Sequence, residues 1–243
     1  LPMFGHGQVE GFHERYGMEY RRAYWDEQPD EGLVERHRRE IFPLLHRRRQ
    51  FAEAAEFLLY DVTEGGAVQE DVYAFSNRVE GRASLVVFNN RYASSSGRIH
   101  RSVPYLDKRT GGLRTRHLGE GLGLRAGHDD FVVFRDHVAG LEYLRRSREL
   151  CEQGLHVSLG GYQYRVFLDF AEVADGTGAY ATLARRLQGD GVPSVAAALE
   201  SLRTEPLRTG LYELVEAARP ALGEAVPPGE AEVEVALGRF LDE

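Results

Sequence analysis

The residues best equipped for chemistry crowd the first 25 positions, LPMFGHGQVEGFHERYGMEYRRAYW. His6, Gln8 and Glu10 can donate or accept hydrogen bonds, and the glycines between them permit close backbone approach. Tyr16 and Trp25 add flat apolar faces, suited either to a ligand ring or to core packing. His6, Glu10, His13 and Glu14 are also of metal-ligating types. The sequence has no His-Glu-x-x-His pair to present two ligands from one helix face, so these four read as solvated loop residues and no metal is expected. Asp129, Asp130, Asp136 and His137 flank a short apolar run and read the same way, as solvated residues at strand ends.

Other chemistries find little support. Gly119-Glu120-Gly121-Leu122-Gly123 is glycine-rich but lacks the Lys-Ser/Thr that completes a phosphate loop, and reads as a turn between strands. Cys151 has no cysteine-enzyme context and there is no Gly-x-Ser-x-Gly elbow. Ser94, Ser95 and Ser96 read as a loop. No cofactor is implied.

The elements that must position these groups change character along the chain. Residues 1–30 follow no helical or alternating period and read as a long loop, either a functional one or a well-packed structural one. Asp30 stands at a helix N-cap, and Leu33, Val34, His37, Ile41, Leu44 and Leu45 recur at helical spacing to about residue 50. Pro43 should kink or split that helix near Phe42. Strands are expected at 57–62, 72–77, 83–89, 98–103, 113–118, 131–135, 156–159 and 162–170, separated by glycine turns, with a helix over 141–151. Short strands at this spacing suggest an antiparallel sandwich or barrel. The tail turns helical, with apolar faces at Tyr180, Leu183, Ala184 and Leu187, then Val195, Ala198, Leu199 and Leu202. Pro193, Pro206 and Pro220 stand near its expected breaks.

The composition bounds the partners. The 243 residues carry 30 basic and 38 acidic side chains, a net charge of -8, which disfavours a general nucleic-acid binder. Arg36, Arg38, Arg39, Arg47, Arg48 and Arg49 then read as the solvated face of a helix. The longest stretch without Asp, Glu, Lys or Arg is 153–164, too short to span a membrane. The single cysteine fits a reducing, cytoplasmic compartment.

Taken in order, these parts resemble the end of an alpha-amylase family glycoside hydrolase. Pro2-Met3-Phe4-Gly5-His6-Gly7-Gln8-Val9-Glu10-Gly11 is similar to the end of that family's last barrel strand, although Val9 parts two residues usually adjacent. Tyr20-Arg21-Arg22 to Trp25, with the helix over 30–49, is similar to its final loop and closing helix. Val72-Tyr73-Ala74-Phe75-Ser76-Asn77, the strand at 83–90, and Tyr162-Gln163-Tyr164-Arg165-Val166-Phe167 are similar to strands of the β-sandwich that follows. The resemblance implies an α+β chain. Residues 1–52 would be the last strand, loop and helix of a (β/α)8 barrel, and 53–173 an antiparallel β-sandwich with an insertion near 119–154. Residues 174–243 would be a helical extension without counterpart. It implies an alpha-glucan or oligosaccharide substrate and retaining chemistry by carboxylates upstream of Leu1, in the catalytic portion of the same polypeptide. His6, Gln8, Glu10, Tyr16 and Trp25 would then contact substrate, and no residue here would be catalytic. A non-catalytic β-sandwich serving as a carbohydrate-binding or interaction module is the alternative.

Overall fold

The computed structural model describes residues 3–14, 22, 24–108 and 110–222. The chain divides into two units, Leu1–Val195 and Ala196–Glu243. The first holds an α+β body built on one large antiparallel sheet.

Asp30 caps the first helix as expected, its carboxylate accepting from the Leu33 N–H at 3.0 Å. The helix expected over 30–50 breaks at Phe42 as expected, and forms four segments in all: α1 (Glu31–Arg36), a π-helical turn (His37–Ile41), α2 (Phe42–His46) and α3 (Arg48–Ala52). Pro43 explains the break. It has no N–H to donate and stands at the start of α2, where none is needed, and the wider turn before it accommodates its ring.

Eleven strands follow in the order β1 (Leu58–Glu64), β2 (Ala67–Val68), β3 (Val72–Val79), β4 (Arg82–Asn89), β5 (Ser95–Ser102), β6 (Tyr105–Asp107), β7 (Gly112–Arg114), β8 (Asp130–Asp136), β9 (Leu141–Arg146), β10 (Leu155–Leu159) and β11 (Tyr164–Ala174). Nine of them form one sheet ordered β10-β5-β1-β3-β4-β11-β8-β9, with β2 beside β1; β6 and β7 form a separate hairpin. The expected two facing sheets are therefore one continuous sheet, and chain length explains its shape. β10 and β11 are consecutive, yet five strand spacings separate them in the sheet. Laid flat, these spacings would hold them about 24 Å apart. The five steps from Leu159 to Tyr164 can span at most about 17 Å. The sheet must curl until its first strand approaches its sixth. Leu58, Tyr60, Ala74, Leu85, Val87, Ile99, Val157 and Phe167 meet in the resulting core.

Two short helices lie against this core, α4 (Leu118–Leu122) and α5 (Ser147–Gln153). α4 corrects the reading of Gly119–Gly123 as a turn and of 113–118 as a full strand. His117 and Glu120 form a capping box, and Gly123 closes the helix at φ 74°. Its glycines serve packing. A Cβ on Gly119 would overlap Cys151 Sγ, and one on Gly121 would overlap the Tyr60 hydroxyl, which is bonded to Ser76 Oγ at 2.7 Å. Gly121→Ala should lift α4 off β1 and lower unfolding free energy by about 2 kcal/mol, read by urea denaturation. Unchanged stability would show that the helix seat is soft.

The helix expected over 141–151 is strand β9 followed by α5. Asp136 decides this. It is fully buried rather than solvated, and its Oδ1 accepts from the Val138 and Ala139 N–H groups to fold a hairpin turn. β8 and β9, in the region read as an insertion, continue the main sheet beyond β11. Ser95 and Ser96, read as loop, lie in β5.

α6 (Ala179–Leu187) also belongs with this unit: Tyr180 stacks on Phe131 at 6.2 Å, and Val192 bridges to Glu142. The second unit carries most of α7 (Val195–Leu222), which runs through Pro206 and Pro220 without the expected breaks.

Candidate functional site

The N-terminal loop is organised by its glycines and carboxylates. Gly7, at φ 67°, turns the chain so tightly that a Cβ there would lie 2.5 Å from Phe12 Cβ. Its carbonyl accepts from the Gly11 and Phe12 N–H groups. Gln8 Oε1 accepts from the Gly5 N–H at 3.0 Å, so this amide shapes the loop. The His6 ring lies 5.9 Å from Phe12. The Glu10 carbonyl accepts from the Asp30 N–H at 2.8 Å, joining the loop to the start of α1. Phe4 meets His37 and Phe42 edge-on, each at 6.5 Å.

Two carboxylates clamp the rest. Glu27 accepts from the His13 and Glu14 N–H groups at 2.7 and 2.8 Å. Glu14 accepts from those of Tyr24 and Trp25 at 2.8 and 3.1 Å. The His13 N–H holds the Glu27 carboxyl below its ordinary pKa against the opposing effect of burial, with the Glu14 N–H and the charges of His13 and His6 adding to the lowering. His6, Gln8 and Glu10 thus share one compact loop, and Trp25 joins it by its backbone with its indole exposed. Tyr16 lies outside the described residues.

A buried polar cluster fastens the π-helical turn after α1 to the sheet. Glu40 is 5% exposed. It accepts from the Tyr164 hydroxyl at 2.6 Å, Arg39 at 2.8 Å and Arg36 at 3.1 Å. Burial pushes this carboxyl up, but those three donors outweigh it and hold the pKa down at about 2. Burial, then the bond to Glu40, push Tyr164 up to about 12. His137 Nε2 donates to the Glu40 carbonyl at 3.0 Å. The Gln50 amide reaches the Ala83 carbonyl at 2.9 Å, and Arg47 and Arg49 pair with Asp169 and Glu80. Beside this fastening, a cleft of about 940 Å³ opens between Leu44 and Leu45 of α2 and Phe75, Val86, Phe88 and Val166 of the sheet.

The six arginines do form a solvated face, all of them exposed, and most also pair there with carboxylates; Arg38, too, meets Glu35, at 3.5 Å. Among the described residues no three His, Cys, Asp or Glu side chains converge as for a metal ion. Sequence reasoning missed Glu27, Glu40 and the Tyr164 hydroxyl as partners, because their bonds join residues up to 124 positions apart. It also missed the pair His100 and His117, whose Nε2 and Nδ1 lie 3.2 Å apart. Burial, with the charges of His117 and Arg101, lowers the His100 pKa.

No protein-family model matches this chain, and a search of curated proteins gives no match either.

Proposed function

We propose that the chain is the C-terminal, non-catalytic portion of a glycoside hydrolase acting on alpha-glucans, combining the end of a barrel with a β-domain. The observation that carries this reading is the fixed path from loop to sheet. Phe4 and the Glu10 carbonyl tie the loop to α2 and the start of α1, and Glu40 of the π-helical turn and Gln50 of α3 tie the same helical segment to β11 and β4. Such a path holds a substrate-contacting loop rigidly against an accessory domain, as preorganised binding requires. The carboxylates point the same way. A retaining glycosidase needs two carboxyls about 5–5.5 Å apart, one of them free to donate a proton. Here Glu14 and Glu27 are clamps on backbone N–H groups, and Glu40 is held ionised by its donors. On this reading the nucleophile and the acid/base belong to barrel strands outside these residues, with His6, Gln8 and Glu10 at the barrel rim.

The purified chain is expected to release no sugar from maltooligosaccharides. Turnover by the chain, abolished by Glu10→Gln, would overturn this reading. A stand-alone carbohydrate-binding module is the second reading, favoured by the exposed tyrosines Tyr92 and Tyr162. It predicts a single melting transition for the chain, whereas a barrel end without its neighbouring strands should melt separately and earlier than the β-domain.

A further inference from the structure

We infer that Tyr92 and Tyr162 form a stacking platform for the pyranose rings of an oligosaccharide. The two crossings that close the curled sheet meet at one end. The loop from β4 to β5 carries Tyr92, and the turn from β10 to β11 carries Tyr162. Their rings lie 6.3 Å apart at 58°. Tyr92 is 87% exposed and Tyr162 56%. Single exposed aromatics are common, but two side by side on a rigid base are not explained by packing.

The base is rigid because a buried amide builds it. Asn89, at 0% exposure, donates to the carbonyls of Ala93 in one loop and Gly160 in the other, each at 2.8 Å. The Tyr162 N–H bonds the Arg91 carbonyl at 2.9 Å. A Cβ on Gly161 would overlap the Tyr92 carbonyl, so only glycine allows this contact. Tyr162 itself sits at φ 54°, where a bulky side chain is disfavoured. A wet tyrosine at a position suited to glycine or asparagine costs stability, and such strain collects at ligand sites.

The chemistry favours a sugar. The C–H faces of a pyranose stack on aromatic rings, while its edge hydroxyls need both donors and acceptors. Arg91, next to Tyr92, and Gln163, next to Tyr162, are the polar groups at hand; Arg91 Nη1 lies 3.6 Å from Asp71 Oδ2, and Gln163 Oε1 accepts from the Gly160 N–H at 2.8 Å. Rings inclined to one another suit a chain whose successive residues turn, as in an α-linked glucan, better than a flat ribbon. This deepens the proposed function and rests on it only for the choice of α-linked glucose.

The test is calorimetric titration of the 243-residue chain with maltoheptaose, cellohexaose and a decaproline peptide. Maltoheptaose is expected to bind. Tyr92→Ser and Tyr162→Gly should each weaken it about tenfold, the loss of one stacked ring, while Tyr92→Phe and Tyr162→Phe retain it. Tyr162→Gly relieves the positive φ, so its melting temperature should not fall and lost binding cannot be lost folding. Unchanged affinity in the folded double variant overturns the platform. So does absence of saccharide binding, or binding of decaproline in place of sugar. Tyrosine-dependent binding of cellohexaose alone upholds the platform and removes alpha-glucan from the functional reading. Turnover lost in Glu10→Gln overturns the accessory-domain reading and leaves the platform standing.

Discussion

Gly154→Ala lowers the unfolding free energy of the β-domain by about 3–5 kcal/mol, from two independent causes. Gly154 ends α5 at φ 75° and ψ -164°, a region open essentially to glycine alone. A Cβ there would also overlap the Ile99 carbonyl and come within 2.7 Å of His100 Cα, both backbone of β5, which cannot rotate away. Residue 155 pairs directly with Ile99, so any shift is passed into the β10–β5 ladder. Gly66→Ala separates the causes. Gly66 has φ 85° with nothing within 4 Å, so its substitution carries the backbone penalty alone, about 1 kcal/mol. Urea unfolding of both variants decides the matter. A Gly154→Ala loss no larger than that of Gly66→Ala would mean that β5 yields freely.

Glu40→Gln should destabilise the chain at neutral pH and lose its effect in acid. A carboxyl moved from 4.5 to about 2 corresponds to about 3 kcal/mol. Arg36 and Arg39 are more than half exposed, so water screens part of this, and about 2 kcal/mol is expected at pH 7. The sign follows from the lowered folded-state pKa. The contribution is complete above about 4.5, where the unfolded carboxyl is also ionised, and fades as pH falls through about 2. Melting temperatures of wild type and variant should converge between pH 4.5 and 2. A constant gap over that range would show that Glu40 acts through shape rather than charge.

Sequence period revealed the strands well, because most bury one face. β1 alternates buried and exposed residues along its first half, and the expected 57–62 lies close to the observed Leu58–Glu64. It failed where tertiary partners outvote local pattern. Leu141, Tyr143 and Leu144 fit a helix as well as a strand, and only the Asp136 turn and the pairing with β8 select the strand. The glycines at 119–123 signalled a turn, whereas a helix pressed against Tyr60 needs glycines for clearance. At the site, His6, Gln8 and Glu10 were legible as one loop because they are neighbours in sequence. The Glu40 cluster was not, since nothing local tells Glu40 that Tyr164 will arrive from a strand begun 124 residues later. Tyr92 and Tyr162 were legible only as residue types, because the closure that brings them together depends on the whole sheet.

The strand order also sets a schedule for biosynthesis. β1, β3 and β4 pair with their neighbours as they emerge, but the free edge of β4 is filled by β11. Roughly 75 residues separate Asn89 from Tyr164, on the order of 4–15 s of translation. For that interval Leu85, Val86, Val87 and Phe88 lie along an unpaired edge, a template for pairing with other chains. Slower translation of the intervening segment should therefore raise the aggregated fraction without changing the stability of molecules that finish folding.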